Sequence, residues 1–259
     1  MAEPATAAPT HVALRGVTKA YGNGADAVVA LDDIALNVGR SEFLTILGPS
    51  GCGKSTLLMI IAGLEPATRG EVRVGATRVA APLTDIGIVF QNDLLFDWRT
   101  VLGNVMLPAD IRGLDRATAR AKALRLLERV GLAEFAHRRP WELSGGMRQR
   151  AALCRALLHD ATLLLLDEPF GALDALTRDQ MNLDLQTLWL AERPTAILVT
   201  HSISEAVFLS DRVVVLSPRP GRLAAEIAID LPRPRTIDMR ESAAFVHHQR
   251  ELRMVIECP

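Results

Sequence analysis

The sequence predicts an α/β fold built on a largely parallel sheet and interrupted by an all-helical insert. Short apolar runs such as 43–47 and 195–200 are typical of strands that are buried on both faces of a sheet. Segments with helical periodicity separate many of these runs, and strands separated by helices favour parallel pairing. From about residue 99 to 160 only helical patterns occur, so we expect this stretch to form a lobe of its own.

The first part of the chain consists of strand patterns around one glycine-rich loop. Residues 1–10 are rich in Ala, Pro and Thr, and we expect them to form a disordered tail. Residues 11–21 and 30–38 alternate apolar and polar side chains, as half-buried strands do. The next predicted elements are strand 43–47, the glycine loop 48–56, helix 57–64, hairpin 71–80 and strand 85–90.

After Gln91 the pattern becomes helical and later returns to alternating strands and helices. We place the helical insert at about 92–160. The amphipathic pattern of 240–258 predicts a helix, so we treat 236–259 as a C-terminal helical segment. Between the insert and this segment we expect strand 162–166, helix 174–193, strand 195–200, helix 202–210 and strand 212–217.

Composition argues against several classes of partner. The 259 residues carry a formal net charge of −1 and 23% charged side chains, which gives no indication of a polyanionic partner. Aromatic residues make up 4%, with Tyr21 the single tyrosine, so a platform for stacking nucleic-acid bases is not expected. The longest apolar runs are far shorter than the roughly 20 residues of a membrane-spanning helix. The scattered Cys52, Cys154 and Cys258 predict buried or incidental thiols.

A phosphate-binding loop is predicted at residues 48–55, GPSGCGKS, which fit the pattern G-x-x-x-x-G-K-[ST]. The glycines let the backbone wrap around phosphate groups, while loop N–H groups and the start of the next helix meet the anion. Lys54 is expected to reach the β- and γ-phosphates, and Ser55 to bind Mg²⁺. The expected nucleotide-binding residues are Gly48, Pro49, Ser50, Gly51, Cys52, Gly53, Lys54, Ser55 and Thr56.

Two carboxylates, Asp167 and Glu168, follow the buried run 163–166. In parallel sheets, ligands bind beyond the carboxyl ends of the strands. Asp167 fits the residue that holds Mg²⁺ in the second nucleotide motif, and Glu168 fits a general base that takes a proton from an attacking water. Taken alone, Asp-Glu-Pro is also a reasonable turn at a strand exit, and the Lys54 loop favours the catalytic interpretation.

Gln91 and His201 also follow apolar strand runs. Each is either a hydrogen-bonded polar residue at a strand end or a member of the same site. Both would lie on the edge of the sheet that carries Lys54 and Asp167. That position suits Gln91 in contact with Mg²⁺ or water and His201 in contact with the γ-phosphate.

Together these segments resemble the ATP-binding cassette (ABC) ATPase family over about residues 12–235. The stretch 143–150, LSGGMRQR, is similar to the family's signature segment, 172–174 to its D-loop, and Tyr21 to its adenine-stacking aromatic residue. The resemblance implies a P-loop NTPase with a RecA-like core, an antiparallel β subdomain and an inserted α-helical subdomain. It places the ATPase domain at 11–235.

The resemblance also implies a homodimer in which two copies pair head to tail. Ser144, Gly145 and Gly146 of one copy would close over the ATP held by Lys54 of the other, and Asp174 would lie across the same interface. Two glycines at a helix start cost stability, and this arrangement explains them, because backbone N–H groups must approach the γ-phosphate.

A finer resemblance concerns segments 91–105, 167–186 and 201–222, which look like those of importers of nitrate, sulfonate or taurine, and thiamine-precursor pyrimidines. In such systems the ATPase is a separate chain, peripheral to the cytoplasmic face of the inner membrane. It docks on integral membrane permease subunits, which take substrate from an extracytoplasmic binding protein. No nucleic acid is expected as a partner, and the cargo is not predicted, because it never touches this subunit.

Phe96 and Trp98 lie where the family has its docking groove, and they are either contacts for a membrane subunit or ordinary core residues of the lobe. Asp97 departs from the Pro usual in this branch, with an unknown effect on docking. Two other functions remain open: a non-transport ATPase of the same family, in repair or translation, and a regulatory module that holds ATP without turnover. The chain has no heptad insertion or second phosphate loop, and it keeps Glu168 and His201.

Overall fold

Two β-sheets and a group of helices make up the protein, which we describe from a computed structural model that covers residues 9–22, 24–171 and 173–257. The predicted α/β fold is confirmed. Some predictions concern residues outside these ranges: most of the expected tail at 1–10, Ala172 of the D-loop, and Cys258 near the end of the C-terminal segment.

Ten strands occur in the described residues, and every strand that the sequence predicts is among them. The last strand was not predicted: its sequence, LAAEIA, has small side chains and follows a loop with two prolines. In chain order the strands are β1 (Thr10–Tyr21), β2 (Val28–Gly39), β3 (Phe43–Leu47), β4 (Arg69–Val74), β5 (Thr77–Arg78), β6 (Ile86–Val89), β7 (Leu163–Asp167), β8 (Thr195–Thr200), β9 (Arg212–Leu216) and β10 (Leu223–Ala228).

The strands form one mostly parallel sheet and one antiparallel sheet. The larger sheet has the order β10-β9-β3-β8-β7-β6, and only its edge strand β10 runs antiparallel to its neighbour. Every residue of β3 and β8 is buried, which accounts for their unbroken apolar runs. The smaller sheet has the order β2-β1-β4-β5 and is antiparallel throughout.

Eight α-helices occur in the described residues, and four of them, α2 to α5, lie within the expected insert. The proposed limits of that insert, about 92–160, remain a prediction. In chain order the helices are α1 (Lys54–Ala62), α2 (Val101–Val105), α3 (Leu107–Arg112), α4 (Arg116–Arg129), α5 (Gly145–Leu157), α6 (Ala175–Glu192), α7 (Ile203–Leu209) and α8 (Ala243–Glu257).

The larger sheet separates two hydrophobic cores because successive residues of a strand point to opposite faces. On β3, Leu44 and Ile46 join a core with α1 and the smaller sheet. Phe43 and Leu47 face the other way, into a core shared with α5, α6, α7 and α8. The sheet is therefore covered on both sides.

The first helical pattern of the insert is broken into two short helices. Pro108 lies in the first turn of α3, where its missing N–H is tolerated, so α2 ends and α3 begins around Met106. Thr100 caps α2 by accepting a hydrogen bond from the N–H of Gly103 at 3.1 Å. Asp115 caps α4 in the same way, from Thr118 N–H at 2.8 Å.

The C-terminal segment packs against the core through α8, and a buried arginine lies just before it. Phe245 and Leu252 of α8 are fully buried. Arg235, 1% exposed, donates hydrogen bonds to the carbonyl oxygens of Val207 and Ser210 at 2.8 Å each. These carbonyls lie in the last turn of α7 and just after it, where helical backbone has no partners of its own, so Arg235 closes the end of α7.

Candidate functional site

Strand ends meet at one edge of the larger sheet. In β-sheet register Leu47 lies opposite Thr200, and Asp167 lies opposite Val199. Asp167 is the last residue of β7, and Glu168 and His201 come directly after β7 and β8. Gln91 lies two residues after β6, and Lys54 begins α1 after the loop that follows β3. The shared edge that the sequence predicts for them is therefore present, although the role of each residue remains a proposal.

The loop between β3 and α1 depends on glycine at two points. Gly53 has φ of 104°, and a Cβ built there would lie 2.7 Å from Leu31 Cδ2. A Cβ at Gly48 would lie 2.9 Å from Cys52 Sγ and 3.0 Å from the Leu216 carbonyl oxygen. The loop thus passes too close to its neighbours for a side chain, and it delivers the first N–H groups of α1, which have no helical partner, to the site.

Lys54 is the first residue of α1, and its side chain is held inside the loop. It is 4% exposed and donates hydrogen bonds to the carbonyl oxygens of Gly48 at 2.9 Å and Pro49 at 3.0 Å. Its Nζ lies 3.8 Å from Glu168 Oε1. The ammonium group is therefore fixed between the phosphate loop and the end of β7.

Ser55 and Asp167 are in direct contact, with Ser55 Oγ donating to Asp167 Oδ1 at 2.8 Å. Burial raises the pKa of Asp167 above its ordinary value, while the Ser55 hydroxyl acts in the opposite sense. A hydroxyl and a carboxylate held together are the hard oxygen ligands that Mg²⁺ uses beside substrate phosphates. The pair therefore fits a magnesium ion bound with a nucleotide.

Glu168 has an unusual backbone conformation, with φ of 44°. Residues with side chains adopt this left-handed region rarely, and such strain clusters at functional sites. Its N–H donates to the Val199 carbonyl oxygen at 2.9 Å, which ties the turn to β8. The carboxylate oxygen Oε2 lies 3.0 Å from His201 Nδ1, so the turn directs Glu168 toward the residue after β8.

Gln91 lies beside this pair, across the small residue Gly171. A Cβ built at Gly171 would lie 3.7 Å from Gln91 Nε2 and 3.8 Å from Glu168 Oε2. The Gln91 side chain is exposed. Its amide is therefore near the carboxylate of Glu168, and its expected contact with water or a metal ion stays a prediction.

A cavity of about 420 Å³ opens over the phosphate loop. Tyr21, 44% exposed, stands at its rim with its hydroxyl 3.4 Å from Thr56 Oγ1. Three lining residues, Val28, Ala30 and Arg219, were not predicted from the sequence, because they are far from Lys54 along the chain and carry no motif. The cavity is lined by Tyr21, Val28, Ala30, Ser50, Gly51, Gly53, Lys54, Ser55, Thr56, Glu168 and Arg219.

The signature segment lies apart from this cavity. Ser144, Gly145 and Gly146 form the start of α5, and none of them is among the described residues that line the cavity. Ser144 caps the helix by accepting from Met147 N–H at 3.3 Å. Among the described residues, therefore, the serine-glycine tip of α5 and the phosphate loop do not line the same cavity.

The two signature glycines differ in their surroundings. A Cβ on Gly146 would lie 2.7 Å from Thr177 Cγ2 on α6, whereas on Gly145 it would meet only Arg148 Nη2 at 3.9 Å. Packing against α6 within the chain accounts for Gly146, and no contact within the described chain accounts for Gly145.

Asp174 lies nearby at the start of α6, where it caps the helix. Its carboxylate accepts from the Thr177 hydroxyl at 2.6 Å and from the Thr177 N–H at 3.0 Å, and these bonds hold the pKa of Asp174 below its ordinary value. Like the signature residues, Asp174 is not among the described residues that line the cavity.

An aromatic pair marks the surface of the helical lobe. The rings of Phe96 and Trp98 stack with centroids 4.6 Å apart. Trp98 is 71% exposed, so it is not a core residue, whereas Phe96 is half-buried. The intervening Asp97 is exposed.

No helix in the described ranges combines the length and apolar character needed to cross a membrane.

Comparison with known protein families gives one match that covers half of the chain. Residues 31–171 match a family described as "ABC transporter". The matched region contains the phosphate loop, Gln91, the signature segment and the Asp167–Glu168 pair.

Curated relatives are similar over most of their length. The chain is 44% identical to an uncharacterized ABC transporter ATP-binding protein of Methanocaldococcus jannaschii, covering 94% of this chain and 90% of that protein. It is 46% identical to a taurine import ATP-binding protein of Burkholderia pseudomallei, over 84% of each chain. It is 44% identical to the taurine import ATP-binding protein of Rhizobium johnstonii, over 88% of this chain and 89% of that one.

A solved structure supports the same comparison. A dimeric ATP-binding cassette in a post-hydrolysis state, bound to ADP and Pi, superposes with a TM-score of 0.74 at 34% sequence identity. The match covers 85% of this chain and all of the other.

Proposed function

Since this chain belongs to the ABC transporter family of ATP-binding cassettes, we propose that it is the ATP-hydrolysing subunit of an importer and acts as a homodimer. One observation carries the proposal. The side chains proposed to bind and hydrolyse the nucleotide lie together around the phosphate loop, while the signature tip of the same chain lies elsewhere. On this proposal each chain supplies two separate halves of a nucleotide site.

In the proposed reaction Glu168 is the general base. Its carboxylate takes a proton from the water that attacks the γ-phosphate, and His201, 3.0 Å away, orients that carboxylate and contacts the γ-phosphate. Lys54 binds the β- and γ-phosphates from its place beside the loop, and Gln91 contacts water near Glu168. The geometry at the end of β7 supports these roles, because the strained turn directs Glu168 toward His201.

Mg²⁺ is part of the proposal, with Ser55, Asp167 and Gln91 as the residues that would hold it. When bound, the ion neutralises charge on the phosphate oxygens. The 2.8 Å contact between Ser55 Oγ and Asp167 Oδ1 supports two of these ligands. Tyr21, at the rim of the cavity, is proposed to stack on the adenine.

The proposed dimer is head to tail. Ser144, Gly145 and Gly146 of one copy bind the ATP held by Lys54 of the other, with Asp174 at the same interface. Two features support this arrangement: the signature tip is not among the described residues that line the cavity, and no described residue lies close enough to Gly145 to exclude a side chain there. ATP then joins the two copies, and hydrolysis weakens that junction.

The proposed partners are integral membrane permease subunits, with an extracytoplasmic binding protein acting indirectly. On this proposal the chain is a peripheral subunit at the cytoplasmic face of the inner membrane. The exposed Trp98, stacked on Phe96, is the proposed contact for a permease. Relatives named as taurine import proteins favour a cargo of the nitrate, sulfonate or taurine type over a pyrimidine precursor.

Glu168→Gln tests the enzymatic part of this proposal. The variant keeps the size of the side chain and removes its basicity, so steady-state ATP hydrolysis should fall by roughly 100-fold or more, whereas nucleotide binding should persist. Glu241→Gln, at an exposed position, is the matched control. Hydrolysis that is undiminished in Glu168→Gln, with binding intact, would overturn Glu168 as the base. A wild-type chain that binds ATP without turnover even with its membrane partners would instead identify a regulatory module.

A further inference from the structure

Arg219 is a cavity residue that the proposed mechanism does not use. It belongs to the loop 217–222, which connects β9 to β10, and it lines the cavity above the phosphate loop. Its guanidinium donates two hydrogen bonds to one acceptor, the carbonyl oxygen of Gly51, from Nε at 3.2 Å and from Nη2 at 3.0 Å. Gly51 adopts a left-handed conformation, with φ of 76°. The two hydrogen bonds from Arg219 hold its carbonyl group in this position.

The loop that carries Arg219 is fixed on both sides. Gly221 N–H donates to the Ala30 carbonyl oxygen, and Asp32 N–H donates to the Gly221 carbonyl oxygen, each at 3.0 Å. A Cβ at Gly221 would lie only 2.2 Å from the Cys52 carbonyl oxygen, so the loop backbone rests directly on the phosphate loop. Arg219 is thus carried by a loop whose backbone is hydrogen-bonded to β2 and packed on the phosphate loop.

The charges around the cavity also leave Arg219 available. Within the described residues no carboxylate oxygen lies within 4.0 Å of its guanidinium, whereas the neighbouring Arg222 pairs with Asp32. The Nη1 group of Arg219 makes no hydrogen bond to a described residue. A guanidinium beside a phosphate loop, with donors to spare, matches the geometry of phosphate oxygens.

We propose that Arg219 is an additional nucleotide-binding residue: it braces Gly51 and contributes a second positive charge, beside that of Lys54, to the phosphate chain of the bound nucleotide. The inference rests on the proposed function, since it concerns the same ATP site. It adds a residue from the β9–β10 loop, far along the chain from the nucleotide motifs.

Three variants of the full-length chain test the proposal: Arg219→Ala, Arg219→Lys and the control Arg222→Ala. Arg222→Ala removes the same charge from the same loop, but Arg222 does not line the cavity. Affinity for ATP and ADP is measured by titration, KM and kcat by steady-state hydrolysis, and folding by the melting temperature without nucleotide.

Arg219→Ala should weaken ATP and ADP binding about tenfold, the size expected for one charge-assisted hydrogen bond at a partly exposed site. KM should rise by a similar factor, while kcat stays within about twofold, since the residue acts in binding. Arg219→Lys, which keeps the charge, should recover most of the affinity, and Arg222→Ala should bind as the wild type does.

Unchanged affinity in Arg219→Ala would overturn the inference. So would a lower melting temperature with a lower kcat and no recovery in Arg219→Lys, because that pattern belongs to a purely structural brace. Failure of the proposed function is distinguishable, since in that case the wild-type chain itself would not bind or hydrolyse ATP.

Discussion

Glu168 and His201 form a hydrogen-bonded pair across the ends of two adjacent strands, with Oε2 of the carboxylate 3.0 Å from Nδ1 of the imidazole. Glu168 comes directly after β7, and His201 comes directly after β8. Because the two side chains touch, each depends on the other for its position. Their substitutions should therefore show coupled effects on hydrolysis.

His201→Ala should lower kcat by roughly 100-fold or more, because Glu168 loses the partner that orients it. Affinity for ATP should change by less than about threefold, since the phosphate loop supplies most of the binding. The double variant with Glu168→Gln should be no slower than the slower of the two single variants. Fully additive losses in this double-mutant cycle would contradict a shared role.

The two signature glycines should respond differently to alanine. Gly146→Ala forces a Cβ to within 2.7 Å of Thr177 Cγ2, so the free energy of unfolding should fall by about 1–3 kcal/mol. Gly145→Ala meets no such contact and should leave stability unchanged or slightly higher, because Ala favours helix. Urea denaturation of each variant measures this difference.

Gly145→Ala should nevertheless impair ATP hydrolysis in the assembled transporter, because the added methyl group would stand between the helix tip and the partner's nucleotide. Because Gly145→Ala should keep the stability of the wild type, a loss of hydrolysis in this variant cannot be attributed to unfolding. Full activity with an unchanged melting temperature would argue against the proposed contact across the dimer.

Arg235→Ala should destabilise the protein by about 3 kcal/mol, because it leaves buried carbonyl oxygens at the end of α7 without partners. The side chain is 1% exposed and binds carbonyl oxygens in and after α7. Arg253→Ala, at an exposed position of α8, should have a negligible effect. Chemical denaturation of the two variants provides the comparison, and equal midpoints would show that the buried contacts contribute little.

Glu205→Gln should change how stability depends on pH. Burial raises the pKa of Glu205 above its ordinary value of 4.5, although the Thr200 hydroxyl, 2.7 Å away, favours the charged form. A carboxyl whose pKa is raised on folding stabilises the fold while it is protonated, and that contribution is lost as pH rises through the folded-state pKa. The stability of Glu205→Gln relative to wild type should therefore improve between pH 4.5 and neutral pH.

Denaturation at several pH values checks this expectation, with the exposed Glu241→Gln as the control. A stability difference between Glu205→Gln and wild type that does not vary with pH would show that Glu205 has a similar pKa in the folded and unfolded chains.

Much of the fold could be predicted because most of its strands are marked by local sequence patterns. The runs at β3 and β8 are continuous, apolar and rich in β-branched residues, and the structure has them at the predicted positions, 43–47 and 195–200. The phosphate loop was equally clear, since the motif fixes both residue types and spacing. The edge strand β10 was missed because two of its six residues are adjacent alanines, and its pairing with β9 is a tertiary contact.

Other features depend on neighbours that are distant along the chain. The break between α2 and α3, by contrast, has a local cause in Pro108, which the helical periodicity of the stretch concealed. The packing of Gly146 on Thr177, and the reach of Arg219 to Gly51, join residues with no common motif. Sequence patterns identify a residue's chemistry, whereas only the folded chain identifies what it touches.

The separation of the α5 tip from the cavity of its own chain has a genetic consequence. Under the proposed pairing, a Lys54→Ala copy still has an intact signature segment, and a Gly145→Ala copy still has an intact phosphate loop. Co-expression of two individually inactive alleles would then yield mixed pairs with one composite pocket made wholly of native parts. If the pocket is shared between two copies, co-expression of the two alleles should restore growth on the imported compound, whereas neither allele alone should.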